Sequence, residues 1–116
     1  MAIPSEITQL VQRVNQELDQ IEQNATEGLN LARAILNQFP ENFIVVQLLA
    51  FLNTSIFYAE TSRTWIQTRV EDISDSQVSR EQVIQEAGEE LARELGRVLE
   101  TKIRVRNIKS RLEFLQ

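Results

Sequence analysis

Residues 42–59, NFIVVQLLAFLNTSIFYA, run eighteen positions without a charge. Phe43, Ile44, Val45, Val46, Leu48, Leu49, Phe51 and Leu52 make the first turns of a helix apolar nearly all round, and such a helix must be covered on several sides. The stretch therefore reads as the front half of the central helix of a small bundle, spanning about 42–73. Eighteen uncharged residues also reach the lower limit for crossing a bilayer. Gln47, Asn53, Thr54 and Ser55 in its middle, Glu41 and Glu60 at its borders, and amphipathic helices on both sides argue against a span, so no membrane partner is expected.

Upstream, a first helix is expected over 5–39, opened by Pro4 or Ser5, with Glu6 suited to the positive end of the dipole, and stopped by Pro40. Apolar or small residues return at Ile7, Val11, Val14, Leu18, Ile21, Ala25, Gly28, Ala32, Ile35 and Phe39 in alternating steps of four and three. That is a heptad stripe. Gln9, Gln12, Arg13, Gln16, Asp19, Gln20, Gln23 and Asn30 form the opposite, solvated face. The stripe becomes small at Ala25, Gly28 and Ala32, which lets another helix approach closely. The short connection at residues 40–42 makes the second helix an antiparallel neighbour of the first.

Beyond Ala59 the second helix becomes amphipathic, with Ile66, Val70 and Ile73 on one stripe and Tyr58 and Trp65 beside it. Arg63 interrupts the pattern, as an arginine does when it snorkels or pairs with a carboxylate of another helix. Thr54, Ser55, Thr61, Ser62, Thr64 and Thr68 are expected to bond back to the helix backbone. After a connection at 74–77, Ser79 and Gln82 form a capping box flanked by the staple Val78 and Val83, so a third helix over 79–115 has Arg80 as its first residue. Its expected stripe is Ile84, Gly88, Leu91, Leu95, Val98, Val105, Ile108, Leu112 and Leu115, with an irregular step near Thr101. Residues 102–108 alternate like a strand, but with no partner strand in the chain they stay helical. Folding helix three back on helix two pairs residue i with about 153 − i, which would seat Trp65 over Gly88 and Phe57 over Gly96.

The expected fold is all-α: a single domain over 1–116, built as an elongated antiparallel up-down-up three-helix bundle of long helices. A length of 116 residues, with 42% hydrophobic and 25% charged residues, suits one globular domain with its own core.

The opening, IPSEITQLVQRVNQELDQIEQNATEGLNLARAILNQFPEN, resembles a group of small, uncharacterised, all-helical bacterial proteins, some of which carry a label borrowed from type I restriction specificity subunits. The resemblance covers the first half of the chain and includes no functional motif, so it carries over no functional residue. It implies helices only; 116 residues leave no room for the DNA-reading domains of a specificity subunit.

The chain contains no histidine and no cysteine. Histidine bases, the usual catalytic triads, thiolate nucleophiles and His/Cys metal sites are thereby excluded. The absence of cysteine and of a signal-peptide pattern in MAIPSEI leads to a cytoplasmic expectation. Asn24 and Asn53 begin glycosylation tripeptides that fall inside helices. Gly28, Gly88 and Gly96 are isolated, so no phosphate-cradling loop exists. Glu86, Glu89 and Glu90 share one helical turn, where acids are usually solvated, and the calcium-loop start at Asp72, Ser74 and Ser76 ends on Val83 where a bidentate Glu is required. The chain is thus expected to be no enzyme and to hold no cofactor or metal.

Two surfaces remain as candidates. Three helices, one of them apolar nearly all round, leave surface that a monomer covers poorly, so Phe43, Val46, Ala50 and Phe57 are a candidate interaction surface and a homodimer through helices one and two is expected. Charge supplies the second: residues 1–101 balance at −9, whereas 102–116 carry five Lys/Arg against one Glu. Lys102, Arg104, Arg106, Lys109 and Arg111 are candidate phosphate contacts on two adjoining helix faces, without interleaved aromatics, although a solvated helix end that also pairs with acids of helices one and two is the more economical account. The leading expectation is a non-catalytic protein–protein interaction or scaffold module; the alternative is a nucleic-acid-associated accessory protein using the basic tail.

Overall fold

A computed structural model describes residues 3–75 and 80–116 and, for Asp75 and Arg80, the backbone only. Among the described residues three helices, α1 (Ser5–Gln38), α2 (Phe43–Asp75) and α3 (Arg80–Leu115), account for nearly all of the chain, and there is no strand. They pack as an up-down-up bundle of 59 × 18 × 16 Å. The ends follow local chemistry. The Asn42 side chain accepts from the Val45 amide at 3.1 Å and caps α2, and α1 closes where the Phe39 amide reaches the Ile35 carbonyl at 2.8 Å, just before Pro40. The expected cap of α3 at Ser79, with Val78 in its staple, lies outside the described residues.

The core is organised in columns spaced by seven. Val45, Leu52, Ala59, Ile66 and Ile73 of α2, and Leu91, Val98, Val105 and Leu112 of α3, are all buried. α1 supplies two such columns: Ile7, Val14, Ile21, Gly28 and Ile35, and beside it Val11, Leu18, Ala25 and Ala32. α1 therefore meets both other helices along its length, while α2 and α3 touch each other least. The expectation that α2 is the central helix is corrected accordingly. The reason is in the second columns: α1 is apolar or small at every position of both, whereas α2 and α3 place Ser55, Ser62 and Arg69, and Glu94 and Thr101, in theirs.

Two further expectations are corrected. The α3 stripe runs through Ala87 and Glu94, not Gly88 and Leu95, because the column through Leu91 and Val98 fixes the buried face and Glu94 lies between them. Thr101 then marks no irregular step; it sits seven residues after Glu94, half-buried, and bonds the Arg97 carbonyl. The glycines do not lie under aromatics. A Cβ on Gly88 would meet Ile7 of α1 at 3.6 Å, and one on Gly96 would meet nothing within 4 Å, while Phe57 is 69% exposed. The pairing of levels between α2 and α3 holds, since Tyr58 and Ser62 reach Glu94, but α3 is rotated about its axis from the expected face. The close approach occurs instead at Gly28, where an added Cβ would fall 2.8 Å from Leu52 Cδ1.

Candidate interaction surfaces

α2 is turned so that its polar column faces inward and an apolar one faces out. Ser55 and Ser62 are 3% exposed, whereas Phe43 is 78%, Ile44 58% and Phe57 69% exposed. Phe43, Val46, Ala50 and Phe57 are all exposed and lie on one side, with Asn53 and Glu60 completing the heptad pattern. Only 22% of the most apolar window of α2 is buried in the bundle. Ile44, also exposed, lies about a quarter-turn round the helix from Phe43, in the column of half-buried Phe51, Tyr58 and Trp65, and so outside this face. Phe39, Phe114 and Leu115 are also exposed, and Phe39 and Leu115 border an open cleft of about 480 Å³ with Ile35 and Asn42 at that end of the bundle.

α2 is long and apolar enough to cross a membrane by length and composition. Its buried column nevertheless packs into a bundle whose other helices carry Glu27, Arg33, Arg104, Arg106, Lys109 and Arg111 alongside the uncharged stretch. A hydrocarbon layer around α2 would have to take up those charges, at several kcal/mol each.

The basic tail is divided by the fold. Lys102 Nζ lies 2.5 Å from Glu17 Oε2 on α1, with both side chains nearly buried. Lys109 pairs with Glu27 and reaches Asn24 Oδ1 at 3.4 Å. Arg104, Arg106 and Arg111 remain exposed. Two of the five candidate phosphate contacts are thus occupied by carboxylates of α1. The close contact with the Lys102 ammonium holds the Glu17 carboxyl below its usual range against the opposing effect of burial, with the charge of Arg13 adding to it; the hydrogen bonds from Lys109 and then Gln23 do the same for Glu27.

Polar groups also tie α2 to its neighbours. Ser62 donates to Glu94 Oε2 at 2.5 Å and Tyr58 to the same oxygen at 3.2 Å, while Arg97 approaches Oε1 at 3.3 Å. Arg63 pairs with Asp19 and Glu22 of α1, and Arg69 Nε lies 2.7 Å from Glu90. Thr54, Ser55, Thr64 and Thr68 bond the carbonyl four residues back. The Glu94 layer was missed in the sequence because a single glutamate among Glu86, Glu89, Glu90 and Glu94 looks like one more solvated acid. Of the acidic turn, Glu90 serves Arg69 and Glu86 accepts from Gln82 at 3.2 Å. Among the described residues no group of three or more carboxylates converges in metal-ligating geometry.

Comparison with family models, with curated proteins and with solved structures returns no match.

Proposed function

We propose that the protein is a non-catalytic interaction module that associates with itself through the outer face of α2. The observation that carries this reading is the inversion of α2: serines are buried while Phe43, Ile44, Val46 and Phe57 are exposed. Burying two serines and exposing two phenylalanines forgoes hydrophobic stabilisation of about 2 kcal/mol per large side chain in the lone bundle. A partner covering that face recovers it. Phe43 and Phe57, exposed over most of about 200 Å² each, with Val46 and Ala50 make an apolar patch of about 400 Å², the size of the largest patch on an ordinary monomer and one that is often functional.

The nucleic-acid reading has less support, because Lys102 and Lys109 are engaged by α1 and the remaining arginines lack aromatic neighbours to stack bases. The test is a pair of variants read by sedimentation velocity and heparin chromatography. Phe43→Glu with Phe57→Glu reduces the sedimentation coefficient to that of a monomer while helix content stays unchanged. Arg104→Gln with Arg111→Gln leaves association intact. Strong salt-dependent retention of the wild-type protein, lost in the arginine variant, would favour the nucleic-acid reading instead.

A further inference from the structure

We infer that the end of the bundle where α1 closes and α2 opens docks on an anionic lipid surface, its apolar side chains entering the headgroup layer and its arginines meeting the lipid phosphates. Three segments converge there: Leu115 of α3 borders the same cleft as Phe39 and Asn42, so the last turn of α3 lies beside the α1–α2 connection. Phe39, Ile44, Phe114 and Leu115 are exposed, Phe114 to 90%, and none belongs to the α2 face proposed above for self-association. With Phe43 and Val46 they are six of the eight exposed large apolar side chains among the described residues, gathered at one end of a bundle 59 Å long. That end is only 18 × 16 Å across. An end face of about 300 Å² falls well short of the ~800 Å² per partner of a stable protein interface. A lipid surface, by contrast, takes up a narrow convex end one side chain at a time.

The basic residues stand at a matching depth. Along the helices, Arg111 is about 5 Å behind Phe114 and Arg33 about 9 Å behind Phe39, while Arg106 and Arg104 are about 12 and 15 Å behind Phe114. All four are exposed. When the apolar side chains sit about 5 to 10 Å deep, Arg111 and Arg33 fall in the phosphate layer, and Arg106 and Arg104 lie just outside it, within reach of the surface potential. The acids near this end are Glu27, Glu41 and Glu113. Lys109 occupies Glu27, which leaves Glu41 and Glu113 exposed against the four arginines. The chain as a whole carries −5, but Glu71, Asp72, Glu81, Glu86 and Glu89 lie roughly 35 Å or more from this end, several times the ~8 Å Debye length at physiological salt. Their repulsion is screened, and the lipid meets the local excess of arginine. Glu41, in the turn between Phe39 and Phe43, enters the headgroup layer with them and opposes the contact. This docking differs from a membrane span: the bundle stays folded, α2 keeps its buried column, and only one end leaves water.

Co-sedimentation of the whole protein with vesicles tests the proposal, while sedimentation velocity without lipid reads self-association separately. Vesicles of equal parts phosphatidylserine and phosphatidylcholine pull the protein down at physiological salt, and phosphatidylcholine alone does so about tenfold more weakly or less well still. Phe39→Ser with Phe114→Ser, and separately Arg33→Gln with Arg111→Gln, each weaken binding about tenfold or more at unchanged helix content. Glu41→Gln strengthens it. Failure of the wild-type protein to bind the anionic vesicles overturns the proposal, as does binding that survives Phe39→Ser with Phe114→Ser. Retention on DNA without retention on vesicles also overturns it, and assigns the arginines to nucleic acid instead.

Discussion

Lys102 reaches across from α3 to Glu17 of α1, Nζ to Oε2 at 2.5 Å, and the contact is closed to solvent on most sides. A lysine that opens a basic run is thereby part of the bundle's interior. Lys102→Met leaves the Glu17 carboxylate with Arg13 alone, and is expected to lower stability by about 2 kcal/mol at neutral pH, measured by urea unfolding. The pH dependence has a definite sign. The Glu17 carboxyl is lowered in the folded state, so the pair's stabilisation is fully present above its ordinary value of 4.5 and fades as pH falls below it. The gap between wild type and Lys102→Met therefore narrows in acid; a gap that stays constant from neutral pH to pH of about 3 would contradict the pair's role.

The Ser62–Glu94 contact predicts non-additivity. Ser62→Ala removes a short hydrogen bond to a buried carboxylate and should cost about 2 kcal/mol. Glu94→Met removes the charge that needs it, so the double variant Ser62→Ala, Glu94→Met should be no less stable than Ser62→Ala alone. Additive losses in a double-mutant cycle would show that the two side chains do not act together.

Tyr58 is the sole tyrosine, which makes its titration directly visible. Burial first, and then the neighbouring Glu94 charge, raise the phenol above its ordinary value of 10.0. Its phenolate absorbance should stay absent through that value and appear only as the protein unfolds in stronger alkali. The sign is that of a raised group: the stability it confers is whole below pH 10.0 and is lost as pH rises beyond it. A reversible tyrosinate titration centred at the ordinary value in folded protein would place Tyr58 in solvent.

The three glycines separate by their surroundings. Gly96 faces open space, so Gly96→Ala should stabilise by about 1 kcal/mol through helix propensity. Gly28 lies under the buried Leu52, with 2.8 Å for an added Cβ, and Gly28→Val should destabilise by about 1 to 3 kcal/mol through overpacking. Thermal midpoints that rank the two variants in the opposite order would put the close approach of helices elsewhere.

Much of this architecture was legible in the sequence, for reasons these residues make plain. The α1 heptads, the break at Pro40 and the small run Ala25, Gly28 and Ala32 report backbone geometry, and geometry depends on local spacing, whereas α2 runs on through Asp75, two residues past the end expected at Ile73. What was not legible is rotation. Choosing Gly88 and Leu95 over Ala87 and Glu94 turned α3 by a fraction of a turn, because apolar character outranked the strict spacing of seven through Leu91, Val98 and Val105. The same preference for apolar residues inside made α2 the expected centre, although Ser55 and Ser62 occupy its inner column. The exposed set Phe43, Val46, Ala50 and Phe57 could be named from the sequence because its members share one heptad face. Lys102 and Lys109 could not be assigned, since their partners Glu17 and Glu27 lie more than eighty residues away.

The proposed function requires the outer face of α2 to be covered by another copy of the chain. Light scattering coupled to size exclusion, at micromolar concentration, measures this directly. The expected mass is twice the 13.4 kDa of one chain, falling to that of a single chain on Phe43→Glu with Phe57→Glu. A wild-type protein that elutes with the mass of one chain at every concentration would contradict it.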